Sequence, residues 1–241
     1  MTSDRLLGGR VLLLQPVQGY RAAIDPVLLA AAVTPPASGS VLDAGCGTGA
    51  ASLCLLARCA DSTVVGLDCD DRSLGLAGQS AARNGVEARM VLAGGDLLRP
   101  PPALRQQSFA CVMTNPPYGD PLRGQRTGSA ARDLAHVERV GLDVWLEACL
   151  RRLEPRGTLV VIHRAERLAE ILAALSPRAG DIRIKPVHPR ADAPAKRILL
   201  RACKGSRAPM RILPPLILHR ADGGYTESAD AILRDAAAIE I

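Results

Sequence analysis

The chain has 241 residues and 48% of them are hydrophobic, which suits one large α/β domain that buries its own core without disulfides or metal. One Phe, one Trp and three Tyr make the core aliphatic and exclude a sheet that stacks RNA bases on several aromatics. The net charge is +6, and all of its cations except Lys185, Lys196 and Lys204 are arginines. Arginine forks match phosphate geometry, but a codon bias toward arginine gives the same count. Composition therefore leaves a polyanionic partner open.

In chain order, residues 10–14 read as a short strand and 15–20 as a loop. Asp25-Pro26 then opens a helix to about Val33, with Asp25 as N-cap and proline in the first turn. Val41-Leu42-Asp43-Ala44 is a strand tip that runs into Gly45-Cys46-Gly47-Thr48-Gly49 and a helix from Ala50. Glycines there let backbone approach a ligand, and the helix N-terminus presents free N–H groups. Residues 64–67 form a second strand ending at Asp68, at the spacing from the loop where an acid meets ribose hydroxyls. A helix over 72–84, stopped by Gly85, precedes a strand over 89–93 that leads to Gly95-Asp96.

Residues 109–114 are a fourth buried strand, and Asn115-Pro116-Pro117-Tyr118 follows it. Two prolines have no N–H and cannot continue a ladder, so the strand stops and its tip is stiff and extended. An Asn carboxamide and the next carbonyl can accept both N–H bonds of a planar exocyclic amine, and a tyrosine can stack on its ring. Residues 119–132 read as a long loop rich in glycine and arginine. Leu142, Trp145, Leu146, Cys149, Leu150 and Leu153 share one helical face, with Pro155 and Gly157 closing that helix. A fifth strand over 158–162 and a helix over 166–175 follow. The strands at 182–188, 197–203 and 216–219 have no long helices between them, which predicts antiparallel pairing.

Five strand–helix alternations give an open, doubly wound, mostly parallel sheet. Ligands of such sheets lie at the C-terminal strand ends, where Gly45, Asp68, Asp96 and Asn115 all fall. Gly45-x-Gly47-x-x-Ala50 also fits a dinucleotide loop. Asp43, two residues earlier, is awkward beside a pyrophosphate but suits the cationic amino acid end of S-adenosylmethionine.

These motifs together, Val41 to Gly49, Gly66-Leu67-Asp68, Gly95-Asp96 and Asn115 to Tyr118, resemble the class I S-adenosylmethionine methyltransferases. More narrowly, the chain is similar to the tRNA1(Val) adenine-N6 methyltransferase family. That likeness extends to Gln15 through Arg21 with Asp25, to Ala135-His136-x-Glu138, to Pro186 through Arg190 with Lys196-Arg197, and to Leu218-His219 with Gly223 through Thr226.

The resemblance implies a seven-stranded Rossmann-like sheet with an antiparallel C-terminal pair. It implies a covering N-terminal strand and helix (1–40), a methyltransferase domain (41–203) and a packed C-terminal extension (204–241). S-adenosylmethionine would be the cofactor, with Asp68 on the ribose, Asp96 and the adjoining Leu97 N–H on the adenine, and Gly45, Gly47, Asp43 and Asp25 around the methionine part. Asn115 and the Pro116 carbonyl would hold the acceptor nitrogen beside the cofactor. Pro117, Tyr118, Arg123, Arg126, Arg132 and His136 would contact a tRNA or other RNA. No metal is implied.

The alternatives are a protein glutamine-N5 methyltransferase of release-factor type, an NAD-dependent oxidoreductase, and an RNA-binding protein that has lost activity. The glutamine enzyme uses the same tetrapeptide but carries a larger N-terminal helical domain, whereas 44 residues precede Gly45 here. The seven cysteines show no zinc spacing and read as reduced core residues, so a reducing, cytoplasmic setting is expected, with no signal peptide and no membrane span.

Overall fold

The computed structural model describes residues 1–17, 21–37, 39–116 and 140–241. Its centre is a nine-stranded sheet. In chain order the strands are β3 (Ser40–Ala44), β4 (Thr63–Asp68), β5 (Met90–Gly94), β6 (Phe109–Thr114), β7 (Leu153–Arg164), β8 (Ala179–His188), β9 (Arg197–Lys204), β10 (Arg211–Ile212) and β11 (Leu216–Ile217). Before them, β1 (Thr2–Leu6) and β2 (Val11–Gln15) form a separate antiparallel hairpin. The long strands lie in the order β8-β9-β7-β6-β3-β4-β5. From β7 to β5 all neighbours are parallel, and β9 runs antiparallel to both β7 and β8. The seven expected strands are thus the long ones, and β10 and β11 are short additions along β8.

Helices cover both faces. On one lie α1 (Asp25–Ala32), α2 (Ala50–Arg58), α3 (Asp71–Arg83) and, as numbered here, α7 (Glu227–Asp235). On the other lie α4 (Pro102–Arg105), α5 (Leu142–Arg152) and α6 (Leu168–Leu175). Neighbouring residues of a strand feed opposite cores: Val41, Cys111 and Met113 face α1 and α2, while Leu42, Ala44 and Val112 face α5. This is why the central strands read as continuous apolar runs instead of alternating.

Four local expectations need correction. Ile24, not Asp25, is the N-cap of α1; Asp25 is its first residue, and its carboxylate turns to Arg197. Helix α5 ends at Arg152, and Pro155 and Gly157 lie in the irregular start of β7, where the register with β6 shifts. The strand expected at 216–219 is shorter and pairs with β8 in parallel, because the chain crosses beside β8 instead of turning back on it. The C-terminal helix α7 was not foreseen; Thr226 caps it by accepting from Ala229 N–H at 3.2 Å and donates to the Ile217 carbonyl at 2.7 Å.

The chain ends meet on the first face. Ile239 N–H donates to the Ala31 carbonyl at 2.8 Å, and Arg10 donates to the Asp235 carbonyl at 2.9 Å. Strand β2 lies against α3, whose side chains serve its outer backbone as a further strand would. Asn84 accepts from Leu12 N–H at 2.9 Å and donates to the Leu12 carbonyl at 2.7 Å, and Ser80 Oγ accepts from Leu14 N–H at 3.0 Å. Substituting Asn84→Ala leaves both Leu12 groups without these partners and is expected to cost about 2 kcal/mol. Urea unfolding checks this, and an unchanged midpoint would mean that the hairpin is not held by Asn84.

Candidate active site

Strand register brings the motif residues to one edge. Ala44 lies opposite Leu67 on one side and Thr114 on the other, and Asp68 lies opposite Gly94. The loops that leave these strands are stitched to the neighbouring tips. Gly45 and Cys46 N–H both donate to the Leu67 carbonyl, at 2.8 and 3.1 Å, and Gly95 N–H donates to the Asp68 carbonyl at 2.9 Å. Gly45, Gly47, Asp68, Asp96, Asn115 and Pro116 therefore share the C-terminal edge of the parallel strands.

The glycine loop needs its glycines for two reasons. Gly45 has φ +75°, and a Cβ there would sit 3.0 Å from the Trp145 ring. Gly47 has φ +52°, but a Cβ there would meet nothing within 4 Å, so open space lies over its backbone where a ligand can approach. Asp68 holds this loop in shape: one carboxylate oxygen accepts from Gly47 N–H at 2.7 Å and the other from Asp70 N–H at 2.9 Å. A carboxylate has further lone pairs for a diol. Burial raises the Asp68 pKa above the ordinary carboxylate value, with the bonds from Asp70 and Gly47 opposing it.

Asp43 is 2% exposed, so it lies under the loop instead of lining an open surface. Ser52, in the first turn of α2, donates to its carboxylate at 2.6 Å. Burial pushes its pKa from 3.8 to about 7, against the Ser52 bond and with help from Asp68. Asp96 is half-buried and accepts from Leu98 N–H at 2.9 Å, while Leu97 is buried in the second core. Asn115 is half-buried at the end of β6 and Pro116 is buried behind it.

Asp25 is buried and bonded by Arg197 Nε at 2.9 Å, which ties the start of α1 to the start of β9. Pro117, Tyr118, Arg123, Arg126, Arg132 and His136 lie outside the described residues.

Three residues near this edge carry structure that their pattern did not reveal. Trp145 Nε1 donates to Thr114 Oγ1 at 3.0 Å, and the Thr114 hydroxyl donates to the Ala44 carbonyl at 2.8 Å. One indole thus backs Gly45 and braces the residue before Asn115. Its only advance signal is that it is the single tryptophan in a chain poor in aromatics. Ser52, the third, sits in an apolar helical run and gives no such signal.

The flanking motifs converge on the same edge. Leu218 N–H donates to the His188 carbonyl at 2.9 Å and His219 N–H to the Pro189 carbonyl at 3.0 Å. The His219 and Tyr225 rings stack at 4.8 Å.

Asp43 makes stability depend on pH with a definite sign. A folded pKa above the unfolded one gives stability that is present below about pH 4 and lost as pH rises toward 7. Asp43→Asn is expected to gain on the parent protein between those limits, by up to roughly 4 kcal/mol. Urea unfolding of both at several pH values measures it, and a difference that stays flat with pH would mean that Asp43 is ionised throughout.

Among known proteins, the methyltransferase small domain family matches residues 23–175. A tRNA1(Val) (adenine(37)-N6)-methyltransferase of Porphyromonas gingivalis is 30% identical over 216 residues, covering 86% of this chain and 84% of its own. One of the same description from Vibrio cholerae is 27% identical and covers 90% and 88%. A release factor glutamine methyltransferase of Agrobacterium fabrum is 33% identical over 107 residues, 44% of this chain and 36% of its own.

Among solved structures, one from Agrobacterium tumefaciens described as a predicted O-methyltransferase superposes with a TM-score of 0.75 at 28% identity, over 90% of this chain and 99% of that one. A geranyl diphosphate C-methyltransferase of Streptomyces coelicolor, in complex with S-adenosyl-L-homocysteine, shares the fold with a TM-score of 0.52 at 14% identity over 73% of each chain. The open backbone over Gly47, the acid at the end of β4 and the buried acid under the loop fit the cofactor of this fold, a nucleoside with a cationic end. The chain belongs to the methyltransferase small domain family and is a class I methyltransferase that uses S-adenosylmethionine.

Proposed function

We propose that the acceptor is N6 of an adenine in tRNA. The observation that carries this reading is the place of Asn115. Its strand neighbour Thr114 is registered against Ala44, the residue before Gly45, so the carboxamide and the glycine loop leave adjacent strands about 5 Å apart. The two relatives described as tRNA1(Val) adenine-N6 methyltransferases, each covered over most of its length, agree with it.

An adenine amine is a weak nucleophile because its lone pair is delocalised into the ring. Asn115 Oδ1 and the Pro116 carbonyl accept its two N–H bonds, hold the nitrogen in line and favour the positive charge that builds on it. S-adenosylmethionine, when bound, supplies a methyl group on a positively charged sulfur. No general base is assigned, since the methylated ammonium is acidic enough to lose its proton to water. No cysteine nucleophile is needed either: burial pushes the Cys54 and Cys111 thiols up to about 12 and about 11. Asp68 takes the ribose hydroxyls, Asp96 and the Leu97 N–H take the adenine edge, and Gly45 and Gly47 pass the methionine part.

A second reading has one observation behind it. A release-factor relative is similar over 107 residues, though these span little more than a third of that protein, and a planar glutamine amide could take the place of the adenine amine at Asn115. Nucleoside mass spectrometry of tRNA treated with the enzyme separates the two: N6-methyladenosine supports the first reading, and methylglutamine in a protein substrate with unmodified tRNA supports the second.

Two outcomes follow for single residues. Asn115→Ala is expected to lower kcat by at least about 100-fold while leaving the thermal shift with S-adenosylhomocysteine intact; equal loss of both would remove Asn115 from its assigned role. S-adenosylhomocysteine is expected to change the emission of Trp145 on titration, and an unaltered spectrum with a saturated site would place the ligand away from Gly45.

A further inference from the structure

At the opposite end of the sheet from Asn115 lies a groove of about 790 Å³ between the last turns of α5 and α6, the first residue of β8 and the end of β9. Its charged lining is Arg151, Arg178, Lys204 and Arg207 against a single acid, Glu147. Glu147 is shared, bonding Arg151 at 3.0 Å and Arg178 at 2.6 Å. Lys204 donates to the Leu153 carbonyl at 2.5 Å. On the other face of the same strand ends the pattern recurs: Asp181 is shared by Arg183, Arg201 and Arg211, and Arg183 also donates to an Ile241 oxygen at 3.5 Å.

The acceptor edge is built differently. There Arg164, Arg190, Arg197 and Arg220 each have a carboxylate of their own, in Glu166, Asp192, Asp25 and Asp222. Among the described residues, then, these four arginines of the acceptor edge pair one to one with acids, whereas the cations of the groove and of the Asp181 cluster outnumber theirs.

Burial, and then the neighbouring Arg152, push the Lys204 ammonium below its ordinary range. The C-terminal ends of α5 and α6 attract cations, which accounts for Arg151 and Arg178. They do not account for Arg207 on the 205–210 loop, exposed beside the groove.

We propose that this groove grips the phosphate backbone of the RNA substrate, away from the base that is methylated. The proposal rests on the RNA reading above. The scale fits. Strand β9 runs from Arg197 at the acceptor edge to Lys204 at the groove, a span on the order of 25 Å at the rise of a strand. An A-form RNA duplex advances by that length in about nine base pairs. A stem laid along the α5–α6 face, with its loop at Asn115, has phosphates at the groove. Such contacts position the RNA and carry no sequence information.

The test compares two pairs of exposed arginines. Arg178→Gln with Arg207→Gln empties the groove of two charges. Arg10→Gln with Arg234→Gln removes the same charge from the surface around α7. Binding of an unmodified tRNA transcript to each full chain is measured by fluorescence anisotropy across a KCl series.

The groove pair is expected to lose about tenfold in affinity and to show a salt slope shallower by about 2, with the control pair close to the parent protein. The thermal shift with S-adenosylhomocysteine should be the same in all three. Equal behaviour of the two pairs, or a parent protein that does not bind tRNA, overturns the proposal. The readout does not require methyl transfer: a groove-dependent affinity with no methylated adenine keeps the groove and sinks the acceptor assignment, while methylated adenine with a KM unchanged in the groove pair does the reverse.

Discussion

The site depends on one hydroxyl. Thr114 Oγ1 donates to the Ala44 carbonyl and accepts from the Trp145 indole, within the buried seam where β3, β6 and α5 meet. Ala44 leads into the glycine loop and Thr114 leads into Asn115. A shift of either strand along the other would break this bond before it moved any residue of the active edge. The separation between loop and carboxamide is therefore set by a satisfied buried network, the arrangement that most strongly specifies one geometry. Trp145 adds shape to that bond, because its ring fills the space a side chain on Gly45 would need.

Charge is handled by position. Beneath the loop, Asp43 is buried and accepts from Ser52, and desolvation raises its pKa to about 7. A cation arriving above the loop favours the ionised form, so ligand charge and protein charge are linked through the same backbone. Asp68 is stabilised by two N–H donors and shapes the loop. The pairing of Asp25 with Arg197 is of another kind, joining elements 172 residues apart at the start of α1 and of β9.

Much of the fold and the site was legible because its causes are local. Strand ends at Thr114 and Asp68 follow from prolines without N–H groups and from runs of apolar residues that stop. The positive φ angles of Gly45 and Gly47 are conformations that other residues rarely adopt, so a glycine cluster between strand and helix announces a tight loop wherever it occurs. The parallel order followed from the alternation of strands and helices. The N-cap of α1 was misjudged because Asp25 has a distant partner that outcompetes the local backbone. The parallel pairing of β11 was missed because two residues carry no directional signal.

By itself, then, the chain determined its class and the motif residues that the structure gathers at one sheet edge, since each rests on the conformational limits of a few adjacent residues. Only the tertiary structure decided that Asp43 is buried, that Asp25 belongs to Arg197, that Asn84 completes β2 and that Trp145 braces the active edge. Among the described residues it also set four arginines in one-to-one pairs at one end of the sheet and others in clusters that share a single acid at the other. Desolvation and ion pairing depend on what packs against a group from elsewhere in the chain, and no local pattern encodes that.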